Sequence, residues 1–208
     1  SSRVRPNFSW KAAASEADGA MRVLLTGFAP FPGVPVNATM HLVPELADRA
    51  KSRFPGIKVS AGLLPTEWQA APRQLEGLLR EARPDLILLE GQSALRNPSG
   101  PCGSEFILSG GARGVILQHA PGRMYFDGEE ALGLKIPPVE SEIALIQALG
   151  ARVLAITLNN EGLSPDALRT QRERLSRELA LPVVLPLEEG VEALVPVARA
   201  YVESETRP

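Results

Sequence analysis

A thiol attacks a carbonyl only when a neighbouring base takes its proton, and the charge that develops needs donors to hold it. The chain has few residues for such work: Cys102 is the sole cysteine, and His41 and His119 are the only histidines. Cys102 sits between Pro101 and Gly103. Nucleophilic use would need His119 within hydrogen-bond reach and a thiol converted to thiolate; the plainer alternative is a cysteine with no chemical duty. His119 closes an apolar run and Arg123 follows four residues later. Imidazole moves protons near neutral pH and guanidinium holds a carboxylate or phosphate through paired hydrogen bonds. In the bland alternative His119 bonds loop backbone and Arg123 is a solvated charge. Two acids could complete a catalytic group, Glu90 at the end of an otherwise apolar run and Glu105 three residues beyond the cysteine. Glu90 faces either a site or a specific buried partner. His41 falls in a helical stretch and reads as a surface or boundary residue.

These residues need elements to position them. From Met21 onward, short apolar runs at 22–26, 57–64, 85–90, 114–118, 152–157 and 183–185 alternate with amphipathic stretches near 38–53, 68–82, 139–149, 164–180 and 190–203. That alternation predicts an α/β fold, a three-layer sandwich around a mostly parallel sheet of about six strands, Rossmann-like and doubly wound. Leu86-Ile87-Leu88-Leu89 is apolar at every position, as expected of a strand covered on both faces. Ser164-Pro165-Asp166 reads as a helix start, Gly150 as a helix stop, and Pro44 predicts a short or kinked first helix. The non-periodic stretches 91–105 and 119–138 follow predicted strands. With the 27–37 loop they form the expected cleft, because ligands of open parallel sheets bind outside the carboxyl ends of the strands.

Composition narrows the function classes. The 208 residues, 44% hydrophobic and 22% charged, suit one globular core, so 21–208 is read as a single domain. A net charge of −2, with cations and acids interspersed, argues against nucleic acid as a partner. No apolar run reaches the roughly 18 residues of a membrane span, so no membrane partner is expected. A single cysteine fits a reducing compartment, and the expected localisation is cytoplasmic. No metal and no cofactor are assigned, and a homo-oligomer is left open. Residues 1–20 show neither a signal-peptide pattern nor periodicity and read as a flexible leader or tag before Met21.

Thr26-Gly27-Phe28-Ala29-Pro30-Phe31-Pro32-Gly33, followed by Asn37, then Leu64-Pro65-Thr66 and Gly91-Gln92-Ser93-Ala94-Leu95-Arg96, resembles the pyroglutamyl peptidases, small cysteine peptidases that remove an N-terminal pyroglutamate. The resemblance implies that Phe28 and Phe31 would sandwich the flat ring, that Asn37 keeps the family's asparagine, and that Gln92 and Arg96 would line the pocket. The departures are Pro32 for a glycine and Ala38-Thr39 for Pro-Ser. Cys102 stands at the position of the triad glutamate, which leaves Glu105 as the nearest acid. The family's cysteine motif, Ala-Gly-x-x-x-Cys-Asn, and its histidine motif are missing.

From about residue 84 a second resemblance takes over. Glu90-Gly91-Gln92, Asn97-Pro98-Ser99-Gly100, Ser109-Gly110-Gly111-Ala112 and His119-Ala120-Pro121-Gly122-Arg123 are similar to the C-terminal half of a bacterial P-loop family that includes D-glutamate N-acetyltransferase-like proteins. In that family a P-loop lies upstream, where this chain has the peptidase-like loop. No lysine here follows a glycine, so Gly-x-x-x-x-Gly-Lys-Ser/Thr is absent. Together the resemblances imply a join of two family fragments near 83–92, by recombination, engineering or divergence. Two functions follow. One is a peptidase-like enzyme using Cys102, His119 and Glu90 or Glu105. The other is a catalytically silent scaffold that binds a small molecule or peptide N-terminus, or a small acid or anion, through Phe28, Phe31, Gln92 and Arg123. An acyltransferase-like activity is the weaker third, argued against by the missing P-loop.

Overall fold

In a computed structural model of the chain, residues 20–30, 33, 35–89, 94–100 and 102–206 are described. Phe31, Glu90 and Gln92, together with 1–19 of the expected leader, lie outside the described residues. The chain falls into two compact units, divided between Leu88 and Leu89.

The first unit is a β-α-β-α run: β1 (Met21–Phe28), α1 (Thr39–Arg53), β2 (Ile57–Leu64) and α2 (Ala70–Ala82). β1 and β2 pair in parallel from Met21↔Ile57 to Phe28↔Leu64, so their carboxyl ends are level. α1 lies close on β1. A Cβ on Gly27 would stand 2.6 Å from the Thr39 Cβ, so no larger residue fits there without displacing the helix start. Val43 and Ala47, one turn apart on α1, are buried with Leu64 of β2. Pro44 lies inside α1, which runs on to Arg53. Beyond α2 the chain returns to β1: Asp85 N–H donates to Arg22 C=O at 3.0 Å, while Arg22 N–H and guanidinium donate to the Asp85 carboxylate at 2.7 and 2.6 Å.

The second unit contains α3 (Ser104–Leu108), β3 (Gly114–His119), a 3-10 turn (Glu130–Leu132), α4 (Val139–Ala148), β4 (Arg152–Leu158), α5 (Pro165–Leu179), β5 (Val183–Val184), α6 (Pro186–Glu189) and α7 (Leu194–Thr206). Its sheet has the order β3-β4-β5, all parallel. The register of β3 on β4 jumps from Val115↔Val153 to Ile116↔Ala155, leaving Leu154 as the extra residue of a bulge. Ala155 and Ile156 are both fully buried, and the core gathers Ile146 of α4, Leu158 of β4, Leu168 and Leu175 of α5, and Leu185. α7 meets β4 through Tyr201, whose ring lies under the Arg152 guanidinium at 5.5 Å from its centroid.

The expected sheet of about six strands needs correction. The described residues hold five strands in two sheets. Of the run expected at 85–90, the described residues 85–89 form a single parallel bridge, between Leu86 and Val23. Ile87, Leu88 and Leu89 are exposed, Leu88 at 76%. An apolar run has the propensity for a strand, but a ladder exists only where a neighbour supplies its hydrogen bonds. β1 offers that partner at Leu86 alone, and the hydrogen-bonded neighbour of β3 is β4. Within the expected loop 91–105, Ser104 and Glu105 open the unanticipated helix α3.

Candidate functional site

In the first unit, the level carboxyl ends of β1 and β2 place two sequence motifs against each other. Ala29 N–H donates to Leu64 C=O at 2.8 Å, and the Thr66 hydroxyl donates to Pro30 C=O at 3.1 Å. The Phe28-containing loop is thereby tied to Leu64-Pro65-Thr66. Its other end is fastened by Thr39, whose Oγ1 accepts from Phe28 N–H at 2.9 Å and lies 3.2 Å from Phe28 C=O. Asn37 Oδ1 accepts from Thr39 N–H at 3.1 Å and lies 3.0 Å from Thr39 Oγ1. Asn37 therefore caps the start of α1, a use typical of Asn two residues ahead of a free N–H. Phe28 is left 46% exposed, an apolar ring face on a loop held at both ends. Thr39, in sequence a departure from Pro-Ser, is the organising residue of this loop. The Asn-x-Thr spacing ahead of a helix was the available signal.

In the second unit, the carboxyl ends of β3 and β4 carry His119 and Leu158 as paired neighbours. Asn159 N–H donates to His119 C=O at 2.9 Å, and Asn159 Oδ1 accepts from Glu161 N–H at 2.8 Å. A Cβ on Gly122 would stand 2.2 Å from the Glu161 carbonyl oxygen, so only glycine allows the two loops to touch there. Arg123 is ion-paired with Glu161 across the same contact. His119 is half-buried, and burial pushes its pKa down; the Glu140 carboxylate pulls it up and Arg174 adds to the downward push.

The remaining predicted residues of this unit are also engaged. Arg96 donates to the Glu142 carboxylate at 2.8 Å and to the Ser141 hydroxyl at 2.9 Å. The Glu105 carboxylate is held below its ordinary range first by its own backbone N–H and next by the Cys102 thiol, with Gly103 N–H donating at 3.0 Å and the Ser104 hydroxyl 3.4 Å away. Cys102 N–H donates to Ala94 C=O at 3.2 Å. The charges acting on His119 are those of Glu140 and Arg174. Among the described residues, no hydrogen bond joins Cys102 to His119, and no group of three or more His, Cys, Asp or Glu side chains is arranged to hold a metal. Nor is any described helix long and apolar enough to cross a membrane. Glu140, Glu142 and Glu161, the carboxylates that act on His119, Arg96 and Arg123, were not singled out from sequence, because each is remote in the chain from the residue it acts on.

Parallel strands joined through helices, with loops meeting at the carboxyl ends, are the layout of a P-loop domain. Residues 56–195 match the family described as Domain of unknown function (DUF1611_C) P-loop domain. The chain belongs to this family. The crystal structure of a DUF1611 family protein from Anabaena variabilis shares the fold of this DUF1611 chain, with a TM-score of 0.55 and 19% identity, covering 88% of this chain and 58% of that one. Similarity to pyrrolidone-carboxylate peptidases is partial. The protein of Thermosipho melanesiensis is 34% identical over 77 residues, and that of Gloeobacter violaceus 40% identical over 76 residues. The matches take in 37% and 36% of this chain and 36% of each relative, so the chain spans little more than a third of the curated relatives it matches.

A P-loop implies a nucleotide phosphate held by backbone N–H groups and a lysine. The residues of this DUF1611 chain do not fit that group. None of its lysines, Lys11, Lys51, Lys58 and Lys135, follows a glycine, and the N–H groups of Phe28 and Ala29 at the end of β1 are spent on Thr39 and Leu64.

Proposed function

We propose that this chain is a catalytically silent α/β scaffold that keeps the ring-facing loop of a pyroglutamyl peptidase and has lost its thiolate chemistry, so that it binds a small ligand or peptide N-terminus without cleaving it. The observation that carries the reading is the surroundings of Cys102. Its backbone N–H is bound to Ala94 C=O, and among the described residues no hydrogen bond joins it to His119, whereas an attacking thiolate is sustained by a cation or a histidine base. The exposed face of Phe28, on a loop fastened by Thr39 and Thr66, supports retained binding of a flat, apolar group.

The alternative of a small-acid or anion site on Arg96 and Arg123 has weaker support, since Glu142 and Glu161 already neutralise those guanidiniums. A charge-paired arginine must give up its carboxylate before it gains a ligand. On origin, the division at Leu88 and Leu89 falls inside the proposed join at 83–92 and supports two fragments. The family match over 56–195 runs across that segment and supports divergence within one family.

The test is turnover of a pyroglutamyl fluorogenic substrate. The expected result is no release above the uncatalysed rate, with Cys102→Ala indistinguishable from the parent chain. Release by the parent that disappears in Cys102→Ala would restore the peptidase and defeat the reading.

A further inference from the structure

We infer that this chain carries the P-loop family's fold without that family's phosphate binding: several described donors and the hydroxyl at its first strand–helix turn are bound within the chain, and carboxylates stand at later turns. The inference does not rest on the peptidase reading, since hydrolysis and nucleotide binding are measured separately.

A phosphate cradle needs several backbone N–H groups free to converge on one point at a helix start. At β1–α1, the first strand–helix turn of the described chain, Pro30, Pro32 and Pro35 have no N–H at all. Phe28 N–H is taken by Thr39 Oγ1 and Ala29 N–H by Leu64 C=O. Thr39 N–H is taken by Asn37 Oδ1, and Met40 N–H by Asn37 C=O at 3.0 Å. A threonine at the start of the helix is where a P-loop offers a hydroxyl to Mg²⁺. Here that hydroxyl is bound within the loop by Phe28 and Asn37.

The later junctions carry acids and some internal bonds. At β2–α2, Glu67 C=O accepts from Ala70 and Ala71 N–H, and the Glu67 side chain adds an acid to a loop without glycine. At β4–α5, Asn159 N–H goes to His119 C=O, Glu161 N–H to Asn159 Oδ1, Leu163 N–H to Asn160 C=O, and Ala167 N–H to the capping Ser164 hydroxyl. Before α4 the chain carries Asp127, Glu129 and Glu130, and the first turn of α4 holds Glu140 and Glu142. Carboxylates at a helix start occupy the favourable end of its dipole and repel a phosphate.

The experiment is calorimetric titration of the full chain with Mg-ATP, Mg-GTP and inorganic pyrophosphate, paired with thermal melts of the parent and Thr39→Val. The expected result is no saturable heat up to millimolar ligand, on the order of the weakest specific binding. Thr39→Val should lower Tm by several degrees, about 2–4 °C per kcal/mol for a chain of this size, by the same amount with and without Mg-ATP. Saturable binding of any of the three below about 1 mM would overturn the inference. So would a Mg-ATP-induced rise in the parent's Tm that Thr39→Val abolishes, because Thr39 would then be a ligand group and not a loop fastener.

Discussion

Asp85 illustrates how one side chain can hold a chain segment to a strand. Its carboxylate accepts the Arg22 guanidinium and backbone N–H, and the guanidinium hydrogen bond is the main cause of a pKa below the ordinary carboxylate value. A carboxyl with a depressed folded pKa contributes stability above its unfolded pKa and loses it as pH falls through the folded one. His119 acts in a higher window. Burial lowers its folded pKa below 6.5, so the unfolded chain takes up the proton first and stability declines as pH falls below about 6.5. Denaturant titrations of parent and His119→Gln should therefore diverge in slope between neutral pH and about pH 5, with the variant flatter. Parallel curves would remove His119 as the cause. Asp85→Asn should cost about 1.5–3 kcal/mol at neutral pH, the range for a charged hydrogen-bond partner, and a loss within the error of urea melts would show the pair to be incidental.

Helix α5 and strand β4 show where stability is concentrated and where it is given up. α5 begins on the Ser164 cap, with Pro165 in its first turn, and buries Leu168 and Leu175 in the core that also holds Ile156 and Leu158 of β4. It ends on Ala180 in the left-handed conformation, φ 51°, a place that ordinarily favours glycine. An L-residue with a Cβ is strained there by roughly 1–2 kcal/mol. Ala180→Gly should accordingly raise the urea midpoint, by up to about 1 kcal/mol once the extra backbone entropy of glycine in the unfolded chain is deducted. A lower midpoint would show that the Ala180 methyl contributes packing worth more than the strain. The bulge at Leu154 belongs to the same scale. It lets β4 bury Ala155 and Ile156 in succession, which strict alternation would not suggest.

At the scale of the whole molecule, buried apolar side chains are distributed unevenly. Among the described residues, the first unit buries Val43, Ala47 and Leu64, while the second buries Ile107, Phe126, Val139, Ile146, Val153, Ile156, Leu158, Leu168, Leu175 and others. α2 has no buried residue, and Trp68 is 92% exposed. Local opening is easiest where few apolar contacts must be broken. Amides of β1 and β2 should exchange with deuterium faster than those of β4, and mild proteolysis should leave a resistant fragment containing 114–184. Equal protection of β1 and β4 would defeat this expectation.

Much of this architecture could be read from residues near one another in the chain. The 57–64 run is β2 residue for residue, α5 starts at the expected Ser164-Pro165, and the α/β class with parallel pairing follows from the alternation of runs. Side-chain periodicity and caps are local, so the sequence carries them. It also carries the absence of a Gly-Lys pair, which depends on covalent order alone. Partnership is not local. Whether Leu86-Ile87-Leu88-Leu89 becomes a strand depends on an edge that offers hydrogen bonds, and among the described residues its one bridge is to Val23. Whether Cys102 is a nucleophile, or Arg123 a receptor for an anion, depends on the neighbours that folding delivers. Arg123 meets the Glu161 carboxylate, 38 residues away in the chain, and among the described residues Cys102 has no hydrogen bond to His119, because through-space contact follows distance in the folded chain and not position along it.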